Sequence, residues 1–304
     1  MARYLATRLA YSVFVVIGVT TVVFFLIRLS GDPAILFLPP EASPDQIAAL
    51  RREYDLDQPL PIQYIRYVQR AVQGDFGRSF GFGQPAMQLV LGRVGATLIL
   101  ALTGLGFAIV LGVPLAIIAA LKRGTWIDTA LVSAAVTLQN IPTFWLGLML
   151  IGIFAVSLHV LPSSGSGELR FIILPAITLG SYSLAVVVRL LRSSLLEVFA
   201  ESYLRTARAK GLNERVVIVR HALKNAALPV VTVIGIQFGA LFGGAVVTEY
   251  VFAYPGMGRL ALQAVSNRDF AVVQAFVFLV AGMITFTNLL VDMSYRLFDP
   301  RVRT

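Results

Sequence analysis

At 304 residues, 57% hydrophobic and 13% charged, with a mean hydropathy of +0.80, the chain is too apolar for a soluble domain; such domains carry about a quarter charged residues, so this composition reads as a polytopic membrane protein. The net charge of +9 therefore bears on topology and lipid rather than on nucleic acid, because in a membrane protein the placement of charge outweighs its sum. Cysteine is absent, which excludes disulfides, thiolate metal sites and a cysteine nucleophile, and the only histidines, His159 and His221, cannot make a histidine-rich metal site.

A spanning helix needs about 20 mainly apolar residues. Six stretches qualify: Leu9–Leu29, Thr97–Leu121, Ala130–Leu158, Phe171–Val188, Leu228–Thr248 and Val272–Val291. The first exceeds the apolar region of a cleaved signal and is expected to stay as an anchor. After it, "SPDQIAALRREY" opens with a capping box in which Ser43 caps, Pro44 takes the first helical position and Gln46 reaches back. A second helix is predicted over "PIQYIRYVQRAVQG", with Ile62, Ile65, Val68 and Val72 on one face and Gly74 as its stop. Together they predict a small helical extracytoplasmic subdomain, either a plug over the membrane domain or a docking surface or lining for incoming solute.

In the third span, "LQNIPTFW" places Pro142 where a backbone donor is lost, so a kink or break is expected near Asn140. Asn140, Pro142 and Trp145 either shape a pathway or form a satisfied helix break. Small residues recur every four positions in the second span (Gly104, Ala108, Gly112) and the fifth (Gly235, Gly239, Gly243), which lets helix backbones approach closely. The pattern fits packing within the chain, a subunit interface or a translocation seam.

Charge concentrates in the connection "ESYLRTARAKGLNERVVIVRHALKNAALP", Glu201 to Pro229. Tyr203 to Lys210 reads as a short helix, Gly211 as its left-handed stop and Asn213 as the cap of a second helix, with Glu214 in its first turn. Val216, Val219, Leu223 and Ala226 are expected to form the apolar stripe of that second helix, and Pro229 to start the next span. The small residues Ala207, Ala209 and Gly211 leave little bulk beside the turn, so the short helix can seat in a partner's groove with Arg205, Arg208 and Lys210 around it. The alternative is a basic loop lying on anionic lipid. Glu201 is placed to cap or brace the first helix. Between the fifth and sixth spans, Pro255-Gly256 reads as a turn. Arg268 and Asp269 fit a structural pair or a solute contact.

Alternate connections differ sharply in charge. The set holding both termini, Lys122-Arg123 and the Arg189–Lys224 region accounts for the net +9, and the other set balances. By the positive-inside rule both termini and the basic connection should be cytoplasmic. Span interiors contain no ionisable residue; Arg28, His159, Arg189, Glu249 and Asp292 fall at or beyond the edges. Such groups usually mark proton relays and ion pathways. Their absence argues against a proton-coupled carrier, a voltage sensor and an intramembrane protease. Gly-Lys never occurs, so no Walker A loop can be written and energy for uphill transport must come from another chain.

The connection resembles the coupling loop of ATP-binding-cassette importer permeases, and more closely their dipeptide, oligopeptide, glutathione and nickel branch. The superfamily's Glu-Ala-Ala is here Arg205-Thr206-Ala207, with Gly211 retained. "SGDPA" at Ser30–Ala34, "YDLDQPLPIQYIRYV", "GDFGRSF", "IPTFWLGL", "LPAITLGSYSLAVVVRLLRSSLLEV", "GAVVTEYVFAYPGMGRLALQAVSNRDFAVVQ" and "YRLFDPRVR" resemble the same branch. The resemblance implies an all-α type I importer permease fold with six transmembrane helices in a bacterial or archaeal cell membrane. It also implies a second homologous permease, two ATPase subunits carrying ATP and Mg, and an extracytoplasmic solute-binding protein. No cofactor is implied on this chain. Coupling to the ATPases falls on Glu201, Tyr203, Arg205, Thr206, Ala207, Arg208, Ala209, Lys210 and Gly211. An extracytoplasmic gate or docking role falls on Glu249, Pro255, Gly256, Gly258, Arg268 and Asp269. The expected organisation is an N-terminal helix and outer segment (1–95), a five-helix permease core with its loop at 192–228 (96–293) and a cytoplasmic tail (294–304). A stand-alone channel with a topology-setting loop is the competing reading. A membrane enzyme lacks paired catalytic groups.

Overall fold

A computed structural model of the protein describes residues 2–29, 33–36, 38, 41–53 and 56–298, with side chains described except at 2–6, 9, 33, 36, 53 and 294–298. Expectations for Ser30–Asp32, Tyr54-Asp55 and the 299–304 tail, and for the side chains of Arg3 and Arg296, lie outside the described residues. The described residues are helical apart from loops and one isolated bridge between Arg78 and Pro85. In order the helices are α1 (Ala2–Leu29), α2 (Pro33–Leu36), α3 (Pro44–Glu53), α4 (Leu60–Val72), α5 (Ala86–Leu121), α6 (Trp126–Asn140), α7 (Thr143–Leu150), α8 (Arg170–Phe199), α9 (Ser202–Ala209), α10 (Glu214–Val216), α11 (Leu223–Val251), α12 (Met257–Ser266) and α13 (Phe270–Phe298). Wider π-type turns run from Ile151 to Ser157 and from Val217 to Ala222.

Five helices are long and apolar enough to cross a membrane, and the α6–α7 pair makes a sixth candidate, bent by 106° at its break. That break is where Pro142 removes a donor. Asn140 donates its side-chain amide to Val136 O (2.7 Å), and Pro142 becomes the cap of α7. The third span is thus two short helices rather than one kinked rod. Two of the other predicted spans are too short. The fourth continues to Phe199 because Leu191, Ser194 and Leu195 extend its buried stripe. The fifth begins well before Leu228, for Glu214–Val251 is a continuous apolar helical segment with Pro229 inside it.

The chain folds as two compact units, one built from the chain up to Leu98 with Ala253–Phe286 and the other from Ile99–Phe252 with the chain from Thr287 onward. In the first unit the capping box forms as the sequence predicts: Gln46 N–H donates to Ser43 Oγ (3.3 Å) and Ser43 N–H to Gln46 Oε1 (2.8 Å). Gly74, at φ +76°, ends α4. The buried face of α4 is not the aliphatic one. Gln63 and Ala71 are buried, and Tyr64 and Tyr67 lie against Phe24 of α1 with ring centroids 5.3 and 5.1 Å away, whereas Ile62, Ile65 and Val72 are exposed. Aromatic area and the Gln63–Arg28 hydrogen bonds (2.8 and 3.1 Å) outweigh the aliphatic stripe.

In the second unit α8 is the central element, with 67% of its most apolar window buried against 28% for α11. Its glycines set the packing. A Cβ on Gly180 would lie 2.2 Å from Gly104 O, and one on Gly112 would lie 2.9 Å from Val187 Cγ1, so the Gly104–Gly112 seam of α5 packs on α8 within the chain. The fifth-span stripe divides: Gly235 meets Val291 of α13 (2.5 Å from a Cβ), Gly239 is buried, and Gly243 is exposed with nothing within 4 Å.

Candidate functional site in the basic connection

Between α8 and α11 the chain folds tightly. Glu201 adopts an extended conformation and starts α9 without a side-chain cap bond. At the other end Gly211 takes φ +75°; its N–H donates to Arg208 O (2.9 Å) and that of Leu212 to Ala207 O (3.4 Å). These two bonds make a Schellman stop, which requires a left-handed residue at this position. Asn213 Oδ1 accepts from Arg215 N–H (2.9 Å), the cap read from the sequence.

Beyond Asn213 the apolar stripe follows expectation at Leu223 and Ala226, which pack in the core, and departs from it earlier. Val217, Ile218, Ala222 and Ala226 are buried, whereas Val216 and Val219 are exposed. The π-type turn over Val217–Ala222 places more than four residues in a turn, which rotates the inward face by about one position relative to an α-helix.

The same core reaches back to α9. Leu204 and Ala207 pack with Ala116 and Ala120 of α5, Leu191 and Leu195 of α8, and Val217, Ala222 and Ala226. Ala207 therefore faces inward and is not part of the low bulk beside the turn. The exposed side of α9 carries Tyr203, Arg205, Thr206, Arg208 and Ala209, followed by Lys210 and Gly211. Tyr203 Oη accepts from Asn225 Nδ2 (2.7 Å) and Arg205 Nη2 donates to Ala200 O (3.3 Å). Arg208 is already paired: its Nη2 and Nε donate to Glu214 Oε1 and Oε2 (2.7 and 3.1 Å), and this hydrogen-bonded carboxylate pushes the guanidinium pKa up. Both partners are substantially exposed, so the pair adds little stability and mainly braces the turn.

A second ion pair was not foreseen. Arg192 of α8 forms a two-pronged bond to Asp128 of α6, both contacts at 2.6 Å, and Asp128 Oδ2 also accepts from Gly124 N–H (3.1 Å). Asp128 is buried and Arg192 mostly so. This clamp joins α6 to the end of α8 nearest α9. An acid in a helix's first turn signals a dipole contact, but nothing local names a partner 64 positions away.

The remaining predicted positions do not gather into one cluster. Asn140, Pro142 and Trp145 are exposed around the α6–α7 break; the tight contact there is at Gly147, where a Cβ would lie 3.1 Å from Val251 Cγ1. Glu249 is buried in the last turns of α11, inside the helix rather than in the segment after it. In the other unit, Gly256 caps α12 and Gly258 is buried in its first turn, so a helix follows the turn at Pro255-Gly256. Arg268 and Asp269 do not pair. Arg268 takes φ +56° as the left-handed stop of α12, with its N–H donating to Val265 O (3.1 Å) and that of Asp269 to Ala264 O (2.8 Å). Asp269 is buried, accepts from Ser79 Oγ and Gly81 N–H, and caps α13 through Val272 N–H.

Comparison with known proteins places this arrangement. Residues 112–304 match the family model described as binding-protein-dependent transport system inner membrane component, and residues 1–101 match its N-terminal companion. The chain belongs to this family. Among curated relatives, the glutathione transport system permease protein GsiC of Salmonella paratyphi A is 41% identical over 304 residues, and that of Escherichia coli K12 is 40% identical, each covering 100% of this chain and 99% of the relative. Solved structures share the fold at lower identity. The MetNI methionine ABC transporter in inward-facing conformations aligns with a TM-score of 0.55 at 21% identity, covering 70% of this chain and 97% of that one. An amino acid ABC transporter with histidines aligns at 0.53 and 16%, covering 69% and 94%. As a binding-protein-dependent permease, the chain is an integral membrane transport subunit and not an enzyme; ATP hydrolysis in such importers resides on separate ATPase subunits.

Proposed function

We propose that the chain, with a second permease, forms the pathway of an importer for glutathione or a similar short peptide, and that α9 is the element through which two ATPase subunits drive it. Full-length identity of 40–41% to glutathione permeases supports the solute class. The observation that carries the coupling role is the two-sidedness of α9. Leu204 and Ala207 anchor one side in the α5–α8–α11 core, and Tyr203, Arg205, Thr206 and Ala209 leave the other side open. A helix so held moves with the core as one body, and contacts made on its open side therefore bias the helices behind it. Gly211 ends the helix without adding bulk, and Arg208–Glu214 holds the returning chain clear. In this reading both termini and α9 are cytoplasmic, an extracytoplasmic binding protein delivers solute, and Glu249, Pro255, Gly256, Gly258, Arg268 and Asp269 belong to the outer, gating side. Gly258 acts there through packing and Asp269 through its hydrogen bonds, and both, like Glu249, are buried.

Absence of cysteine makes the test direct. Thr206→Cys, in the complex purified from its native membrane, is expected to crosslink to a chain bearing a nucleotide-binding site, and proteoliposomes of that complex should take up labelled glutathione only with ATP and the binding protein. A cysteine at 206 that reacts freely with an aqueous thiol reagent in the intact complex, and crosslinks to nothing, overturns the coupling role. Crosslinking without glutathione uptake overturns the solute alone.

A further inference from the structure

Helix α4 presents an apolar surface that its packing leaves open. It rests on α1 through Gln63, Tyr64, Tyr67 and Ala71, and the flank beside that contact carries Ile65 (56% exposed) and Val72 (77% exposed), with half-buried Val68 between them. Arg66, Gln69 and Gln73 follow on the next sector, so the helix has a packed, an apolar and a polar face.

The depth of α4 decides what meets the apolar face. Its contacts run down α1 from Arg28, bonded to Gln63, through Phe24, against Tyr64 and Tyr67, to Thr21, whose Oγ1 lies 2.7 Å from Tyr64 Oη. The apolar span of α1 is Ala10–Leu29, and Thr21 lies about 12 Å inside its end at roughly 1.5 Å per residue. The side chains of α4 thus reach the apolar span of α1 and not only its end. The surfaces are also continuous: Phe25 of α1, half exposed beside exposed Val22, Leu26 and Leu29, stacks on Tyr64 with centroids 6.3 Å apart.

We infer that α4 is an interfacial helix whose Ile65–Val68–Val72 face enters the lipid boundary and anchors that end of α1 in the bilayer. The chemistry matches: an exposed apolar stripe, Tyr64 between it and α1, and a polar sector that includes Arg66 is the composition of a helix that lies in the membrane surface. Arginine stems follow apolar surface while their guanidinium groups stay with phosphate and water. A soluble protein partner fits less well, because this surface is continuous with the exposed apolar residues of α1.

Single cysteines at Ile65, Val72 and Gln73 in this cysteine-free chain, spin-labelled in the native complex, test the inference. After reconstitution into phosphatidylcholine–phosphatidylglycerol vesicles, labels at 65 and 72 should collide with oxygen more than with a water-soluble nickel chelate, and the label at 73 should show the reverse. Nickel access at 65 and 72 equal to that at 73 overturns the proposal in favour of a water-facing helix. Shielding of 65 and 72 from both reagents overturns it in favour of a protein partner. Each site is exposed, so cysteine there leaves packing intact; if either labelled chain fails to assemble, labelling at Val68 gives the same reading.

Discussion

Substitution at Gly211 separates torsion from bulk in α9. The residue sits at φ +75° with nothing within 4 Å of a Cβ position, so the cost of an L side chain in the free subunit is torsional only. That cost is roughly 1–2 kcal/mol, which shifts a two-state population by about five- to thirtyfold. An eight-residue helix is marginal alone, so the capped form of α9 depends on Leu204, Ala207 and this stop, and the shift should be visible. Gly211→Ala and Gly211→Val are expected to speed hydrogen exchange in the peptide spanning 203–213, Val more than Ala, and to lower ATP-driven uptake in parallel. Gly211→Asn should lie close to wild type, because Asn tolerates the left-handed region. Gly211→Asp shares that tolerance but adds charge; it should keep its exchange protection, insert normally and lose coupling. Wild-type exchange for Ala and Val refutes the torsional argument. Loss of uptake for Asn equal to that for Val assigns the glycine to bulk at the ATPase surface instead.

Gly180→Ala forces the α5 and α8 backbones apart, because a Cβ would lie 2.2 Å from Gly104 O; a loss of about 1–3 kcal/mol should appear as a lower thermal midpoint in detergent, whereas exposed Gly243→Ala should leave it unchanged. Removing Asp128 strands a mostly buried Arg192 guanidinium, so Asp128→Ala should cost about 3 kcal/mol, and Arg192→Ala a similar amount. The double variant should cost less than their sum, with additivity in the thermal midpoints showing that the two side chains do not support each other. Arg268→Gly relieves a left-handed non-glycine residue and should raise the midpoint by the equivalent of roughly 1 kcal/mol; no change would mean the φ of +56° carries no strain.

Local features were legible because their causes are local. Capping at Ser43, the left-handed stops at Gly74 and Gly211, the cap at Asn213 and the break before Pro142 each depend on residues within one helical turn. Span count and family were legible too, since length, apolarity and extended motifs are properties of the chain itself. The residues that the resemblance proposes for coupling are contiguous, so they fall on and directly beside one short helix, α9.

Which way side chains face was not legible. Val216 and Val219 were expected inside and stand outside because a π-type turn changes the period, and no composition marks that turn. Ile62, Ile65, Val68 and Val72 were placed together on one face of α4, yet two tyrosines and a glutamine claim the contact with α1. Ala207 was read as open and is buried. Arg268 and Asp269, neighbours in sequence, point to separate tasks: one ends α12 and the other caps α13 and binds Ser79.

Sequence alone therefore determined that this is a multi-spanning permease, where its local caps and left-handed stops lie, and which short segment bears the charge, for these follow from apolarity, backbone torsion and charge placement along the chain. Only the tertiary structure decided that Gly104 meets Gly180, that Asp128 holds Arg192 and that Leu204 and Ala207 tie α9 to the core. Such contacts depend on the relative rotation of helices distant in sequence, and each helix offers several faces of similar apolarity from which packing selects one.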